Sequence, residues 1–421
     1  MRYAIIGATA EQVKRVGGTD IKEARSTGII FAALTEAQAA QLKAMGCQVT
    51  PVGGVKAMIM PPIVAPPTPI AGIPTYRAED LVLTIGVEDL RHITEPPLYG
   101  SGMNLAIIGS GIRETHKRIN GHVIYRKNYT QDLMRDGFDH DTGVCDIALT
   151  VAPECNILNL KVLNERGEGT EEDVAIAIDD CISFQDTNPD IAPSVINLSL
   201  GGPDDGNLDN PLRVACRVAI DRGIWVVASA GNGGPVNYSI TSPACERYVV
   251  AVGSISYDPF QISTFSSRGP TMEGLVKPDG VLFGENMEMA SSDSDTAMIA
   301  KSGTSFATPF GSGMAILFHE GMQRQAVPTI PLAGVYPEMG IWVPVDMFID
   351  RFLPGICIKP EGTPQGKDYE YGYGLPFGPL IYKAITAVPV METVLGAIPP
   401  LLGIAMLGMV MAPMAKEFSH V

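Results

Sequence analysis

In Ser302-Gly303-Thr304-Ser305-Phe306-Ala307-Thr308-Pro309, small residues crowd a hydroxyl, and the small and apolar run Phe310 to Phe318 predicts a buried helix behind it. A serine in the first turn of such a helix lies among unpaired backbone N–H groups at the positive end of the dipole. That is where a nucleophilic oxygen and a developing oxyanion are stabilised. The same octet also reads as a Ser/Thr-rich helix cap, so the other groups of a catalytic set must be found elsewhere. Ala228-Ser229-Ala230-Gly231-Asn232-Gly233-Gly234 offers the Asn232 amide on a Gly-rich turn, suited to oxyanion donation, against the plainer reading of an Asn-Gly turn. Of the six histidines, His140 alone stands in a polar, Gly-bearing setting, Asp139-His140-Asp141-Thr142-Gly143-Val144, just before an apolar helical stretch. Ser199-Leu200-Gly201-Gly202 is a strand end with little side-chain bulk, able to pair with an extended peptide.

These groups need a frame. Continuous apolar runs at Leu105–Ile108, 157–163, 195–198, 225–228 and 248–252 read as strands buried on both faces. Helical segments at 171–184 and 211–222 lie between them. The alternation predicts an α/β fold, a mainly parallel sheet with helices on both faces, with its site at the carboxyl ends of the strands. Residues 1–57 read as a separate small α+β unit: strands at 3–6, 28–34 and 48–52, and helices at 10–16 and 35–45. Thr35-Glu36-Ala37-Gln38 there matches a capping box. Residues 58–80 hold the run Pro61-Pro62-Ile63-Val64-Ala65-Pro66-Pro67-Thr68-Pro69, an extended linker. Residues 81–387 form the large domain and 388–421 an apolar tail.

The formal net charge of −16 excludes nucleic acid as an expected partner. Seven scattered cysteines read as buried free thiols. No metal-type spacing appears among them, and no loop has ligand spacing for calcium, so no cofactor is expected. The first residues read as a strand and lack the apolar core of a signal peptide. From Thr393 to Ala415 no residue is charged, a run of 23 long enough to span a bilayer, although Pro399-Pro400 interrupts it. Residues 389–421 are therefore expected to meet a membrane or, in the plainer reading, a protein surface.

Together the Ser302–Pro309, Ser229–Gly234, Ser199–Gly202 and His140 segments resemble the subtilisin-like serine proteases, the subtilase family. Thr264-Phe265-Ser266-Ser267-Arg268-Gly269-Pro270, Lys277-Pro278-Asp279 and Tyr371-Gly372-Tyr373-Gly374-Leu375 resemble further segments of that family. The resemblance covers residues 81–387 and implies Ser305 as nucleophile, His140 as general base and Asn232 as oxyanion donor. It implies a polypeptide substrate flanked by Ser199, Leu200 and Gly201 on one side and by Gly167 and Gly169 on the other. The first unit is similar in element order to the family's ferredoxin-like inhibitory propeptide, which blocks the cleft and is removed by self-cleavage.

One position departs from the pattern. The family places an aspartate where this chain has Gly109, in Leu105-Ala106-Ile107-Ile108-Gly109-Ser110-Gly111-Ile112. Without that acid the His140 ring lacks its orienting partner, and such a loss typically costs about 10⁴-fold in kcat. Asp139 and Asp141 flank His140, but a neighbour's side chain rarely reaches round to the ring nitrogen, so neither is expected to replace it. The sequence therefore predicts a serine endopeptidase scaffold that is inactive or very slow because Gly109 replaces the triad aspartate. The alternative is a pseudoprotease whose cleft binds peptide or joins an assembly.

Overall fold

The computed structural model describes residues 1–58, 74–88, 91, 96–324, 349–350 and 353–381. The proline-rich stretch 61–69 and the apolar tail lie outside these residues. Among the described residues, no helix is long and apolar enough to cross a membrane.

The chain opens with β1 (Arg2–Ile6), α1 (Ala10–Arg15), β2 (Thr19–Ala24), β3 (Ile29–Ala33), α2 (Glu36–Ala44) and β4 (Gln48–Pro51). The sheet runs β2-β3-β1-β4 with every neighbouring pair antiparallel, the ferredoxin-like βαββαβ arrangement. Both helices start with reciprocal capping boxes, Thr9 with Gln12 and Thr35 with Gln38. β2 was not legible from the sequence, because most of its side chains (Thr-Asp-Ile-Lys-Glu-Ala) face solvent and show no apolar alternation. Strand periodicity divides the sheet's contacts. Tyr3, Ile5 and Ile30 pack under α1 and α2 with Val13 and Leu42, whereas Ala4, Ile29 and Phe31 join the core of the large domain.

β6 (Tyr76–Arg77) and α3 (Ala78–Thr84) precede the large domain's main sheet. Its parallel strands are β7 (Asn104–Gly109), β8 (Val123–Asn128), β9 (Asn156–Lys161), β11 (Val195–Leu198), β13 (Trp225–Ser229), β14 (Val250–Ser256) and β16 (Gly280–Phe283). The spatial order is β8-β9-β7-β11-β13-β14, with β16 parallel to β14 and the short β15 (Gln261–Ile262) antiparallel to it. β7, β11, β13 and β14 are buried along their whole length, which is why they read as unbroken apolar runs. Helix α4 (Asp141–Val151) packs against α7 (Thr304–Arg324), and α5 (Glu171–Thr187) against α6 (Pro211–Asp221). Six cysteines are buried and free, and Cys357 is half-buried and free.

The acidic start of α5, which reads as a solvated helix end, is covered instead. Glu172 is bound by the Arg2 guanidinium and by Lys22 Nζ at 2.8 Å, and Thr27 N donates to Asp179 Oδ1 at 2.7 Å. Burial opposes the Glu172 charge, yet hydrogen bonds from Arg2 and Lys22 prevail and hold its carboxyl below the usual range. The N-terminal unit is thus docked on α5 by charge as well as by apolar contact.

Candidate active site

Ser305 is fully buried at the second residue of α7. Its backbone N–H points at the carbonyl of Met58, with N···O at 3.2 Å. Its Oγ donates to the Ser199 carbonyl at 2.9 Å, while Ser199 Oγ donates back to the Ser305 carbonyl at 2.8 Å. These bonds fix the end of β11 to the start of α7, so the hydroxyl stands at the carboxyl edge of the parallel sheet. Asn232 follows β13 at the same edge. Its Oδ1 accepts from Thr304 N at 3.0 Å and from Thr304 Oγ1 at 2.9 Å. That arrangement fixes the amide's orientation and leaves the buried Nδ2 without a partner. A buried amide N–H held in place and unpaired is a donor waiting for an acceptor.

Through this edge runs β5 (Gly54–Ala57), the segment that follows β4. It lies between β10 (Glu168–Thr170) and β12 (Leu200–Gly201), antiparallel to both. Val55 pairs with Gly169, Ala57 with Leu200, and Lys56 with both Glu168 and Gly201. Ala57 N donates to Gly167 O at 3.0 Å and Met58 N to Ser199 O at 3.2 Å. Ser199, Leu200, Gly201, Gly167 and Gly169 therefore all border one extended segment, and that segment belongs to this chain. Gly53 N donates to Glu171 Oε2 at 2.7 Å just before it enters. Neither the path of β5 nor Met58's place was readable beforehand, because a strand that pairs only across domains leaves no local signal.

His140 is the N-cap of α4, 1% exposed, with its ring 5.4 Å from that of Phe306. Its Nε2 is buried and unpaired. Its Nδ1 meets Asp141 Oδ1 at 2.5 Å, which corrects the expectation that the adjacent residue cannot reach the ring. The reason is local geometry. His140 has non-helical dihedrals (φ −128°, ψ −60°), so its ring is turned back over the first residue of α4. Nδ1 is the ring nitrogen nearer the backbone, within range of a short carboxylate. Asp139 has a positive φ of 57° and turns away to Lys301 Nζ and Ser292 N.

The Asp141 carboxylate stands beside Gly109 and accepts from Ser110 N through Oδ2 at 2.7 Å. The surroundings are built with equal care. Buried Asp136 accepts from His140 N at 2.9 Å, Thr142 N at 2.9 Å, Thr142 Oγ1 at 2.8 Å and Ser110 Oγ at 2.8 Å. Burial and the adjacent Asp141 charge push its carboxyl above the usual range. Lys161, opposite Gly109 on β9, donates to Ser110 O at 2.6 Å and supplies the compensating positive charge. Burial pulls that ammonium below its ordinary value, with Asp136 and Asp141 acting in the other direction. Among the described residues, no group of three or more His, Cys, Asp or Glu side chains could hold a metal ion.

Comparison with known proteins gives the constellation its context. The chain is 32% identical over 254 residues to "Serine protease AprX" of Bacillus subtilis (strain 168), covering 52% of this chain and 57% of that protein. To "Subtilisin" of Bacillus sp. (strain TA39) it is 28% identical over 243 residues, 51% and 56% of the two chains. To "Subtilisin-like protease SBT6.1" of Arabidopsis thaliana it is 30% identical over 240 residues, 54% of this chain and 22% of that protein. The chain spans just over half the length of the first two relatives. The model of the Subtilase family matches residues 100–330, more than half of the sequence, so the chain belongs to the subtilase family.

Proposed function

We propose that this protein is a subtilisin-like serine endopeptidase whose N-terminal unit is its own inhibitor and first substrate. The observation that carries the reading is the seat of Met58: its carbonyl oxygen accepts from Ser305 N, and the preceding residue, Thr304, holds the Asn232 amide whose Nδ2 is unpaired. A tetrahedral intermediate requires two donors on its oxyanion, and the free Asn232 Nδ2 is the second group available to join Ser305 N there. In the reaction, Ser305 Oγ rotates from the Ser199 carbonyl towards His140 Nε2 and gives up its proton there. The oxygen then bonds to the Met58 carbonyl carbon, the carbonyl π pair moves onto the Met58 oxygen, and Ser305 N–H and Asn232 Nδ2–H donate hydrogen bonds to that oxyanion. Collapse breaks the bond to Ile59, and the proton on Nε2 passes to the leaving amine. A water molecule, deprotonated by the same imidazole, releases the acyl group and regenerates Ser305. Residues 1–58 would remain in the cleft as a product held by strand pairing. Other polypeptides would enter as β5 does, with the chain between the 167–170 and 199–201 segments.

The test is production of the full chain beside Ser305→Ala, followed by intact mass and N-terminal sequencing. The expected result is a new terminus at Ile59 and fluorophosphonate labelling of the parent, both absent in Ser305→Ala. An uncut, unlabelled parent that nevertheless holds peptide as tightly as Ser305→Ala would replace this reading with a peptide-binding cleft.

A further inference from the structure

We propose that the acid of the catalytic set has changed address: Asp141, at the start of α4, orients and stabilises His140, and Gly109 is the vacancy that admits it. The inference rests on the proposed endopeptidase reading and deepens it.

Four observations support it. First, the carboxylate is in place, with Oδ1 at 2.5 Å from His140 Nδ1. Second, its other oxygen is anchored by Ser110 N at 2.7 Å, from the backbone immediately after Gly109. Third, a Cβ added at Gly109 would stand 2.1 Å from Asp141 Oδ2 and 2.7 Å from its Cγ. The volume that a side chain on residue 109 would enter is already filled by the Asp141 carboxylate. A larger residue at 109 and this placement of Asp141 are therefore mutually exclusive. Fourth, His140 and Asp141 are each 1% exposed, so water does not compete for the contact.

The charged groups facing this pair are Asp136, from the preceding loop, and Lys161, from β9. Asp136 is occupied with His140 N, Thr142 and Ser110, and so holds the backbone of the pair and not the ring. Lys161 binds the Ser110 carbonyl. Asp141 is left as the carboxylate that touches Nδ1. When Nε2 takes the Ser305 proton, Nδ1–H keeps its bond to the Asp141 carboxylate, which stabilises the imidazolium. Asp141 is thus a positioning residue that acts through His140.

The experiment uses the full chain and its self-processed form, with Asp141→Asn, Gly109→Asp, and the exchange Gly109→Asp with Asp141→Gly. Turnover of a peptide amide, fluorophosphonate reaction rate and the pH profile of kcat/KM are measured. Asp141→Asn is expected to lose about 10³–10⁴-fold in kcat with little change in KM. Its acid limb should move to lower pH, because the imidazolium loses a neighbouring negative charge. A purely structural carboxylate would not move that limb. Gly109→Asp alone places two carboxylates where one fits and is expected to be slower than the parent. The exchange is expected to recover most of the lost rate, and serves as the arbiter if Asp141→Asn folds poorly. A reactive parent with Asp141→Asn within tenfold in kcat and an unmoved acid limb overturns the assignment alone. A folded exchange variant no faster than Asp141→Asn overturns it as well. A parent whose Ser305 never reacts overturns the endopeptidase reading and this inference with it.

Discussion

Gly109→Ala adds a single methyl group, and the structure gives the consequence in distances. The new carbon would lie 2.1 Å from Asp141 Oδ2, 2.7 Å from Cγ and 2.8 Å from Oδ1. Ordinary carbon–oxygen contact lies well above 3 Å, so the carboxylate has to retreat by roughly 1 Å. It has little freedom to do so, because Ser110 N holds Oδ2 at 2.7 Å and His140 Nδ1 holds Oδ1 at 2.5 Å. Hydrogen bonds to a charged group are each worth about 1.5–3 kcal/mol, and loss of the one to His140 corresponds to roughly 10–10²-fold in rate. Misorientation of the ring raises this, so kcat should fall about 10²–10⁴-fold, the upper end being removal of the acid itself. Overpacking should cost about 1–3 kcal/mol of stability, readable from urea unfolding. The assay is peptide-amide turnover of the parent, Gly109→Ala, Asp141→Gly and the double variant. If the methyl group acts through the carboxylate, the double variant should be no slower than Asp141→Gly alone, a strongly non-additive cycle. Additive costs, or Gly109→Ala within threefold of the parent, would refute the reasoning.

Two further outcomes follow from the buried charges. In the uncut Ser305→Ala background, Glu172→Ala takes the shared carboxylate from Lys22 and leaves Arg2 with Asp20 alone, and their partial exposure lets water compensate in part. About tenfold faster hydrogen exchange is expected at the Ala57 and Met58 amides, which are protected by Gly167 O and Ser199 O only while the unit is docked. Equal exchange would mean that the Glu172 ion pairs contribute nothing to docking. His319, buried against Trp225, has its pKa lowered to about 3 by burial. The unfolded chain takes up this proton below its ordinary value while the folded chain refuses it. Stability should therefore fall on acidification from about pH 6.5 to 3, by up to about 1.4 kcal/mol per pH unit from this group. His319→Gln should flatten that slope relative to the parent in urea titrations at successive pH values, and an unchanged slope would argue against it.

The main sheet was readable because strands buried on both faces must be apolar throughout, as Leu105–Ile108 and Trp225–Ala228 are. Turns that carry polar groups at strand ends were readable for the complementary reason: Asn232 and the Ser199 segment interrupt apolar runs with small and polar residues. Helix starts were legible where the cap is local, as at Thr35. β2, an exposed edge strand, gave no apolar signal, and β5 pairs only with segments more than a hundred residues away. The acidic start of α5 looked solvated because its cations, Arg2 and Lys22, lie far off in the chain.

Sequence alone determined the family, the parallel sheet and the residue types at Ser305, His140 and Asn232, because these depend on composition and order along the chain. It also established that residue 109 carries no acid. What stands in that acid's volume was decided only by the tertiary structure. A carboxylate's reach depends on the dihedrals at His140 and on the empty space beside Gly109, and both arise from packing α4 against the end of β7. Adjacent in sequence, His140 and Asp141 become a hydrogen-bonded pair only because the fold turns the ring back over the helix start.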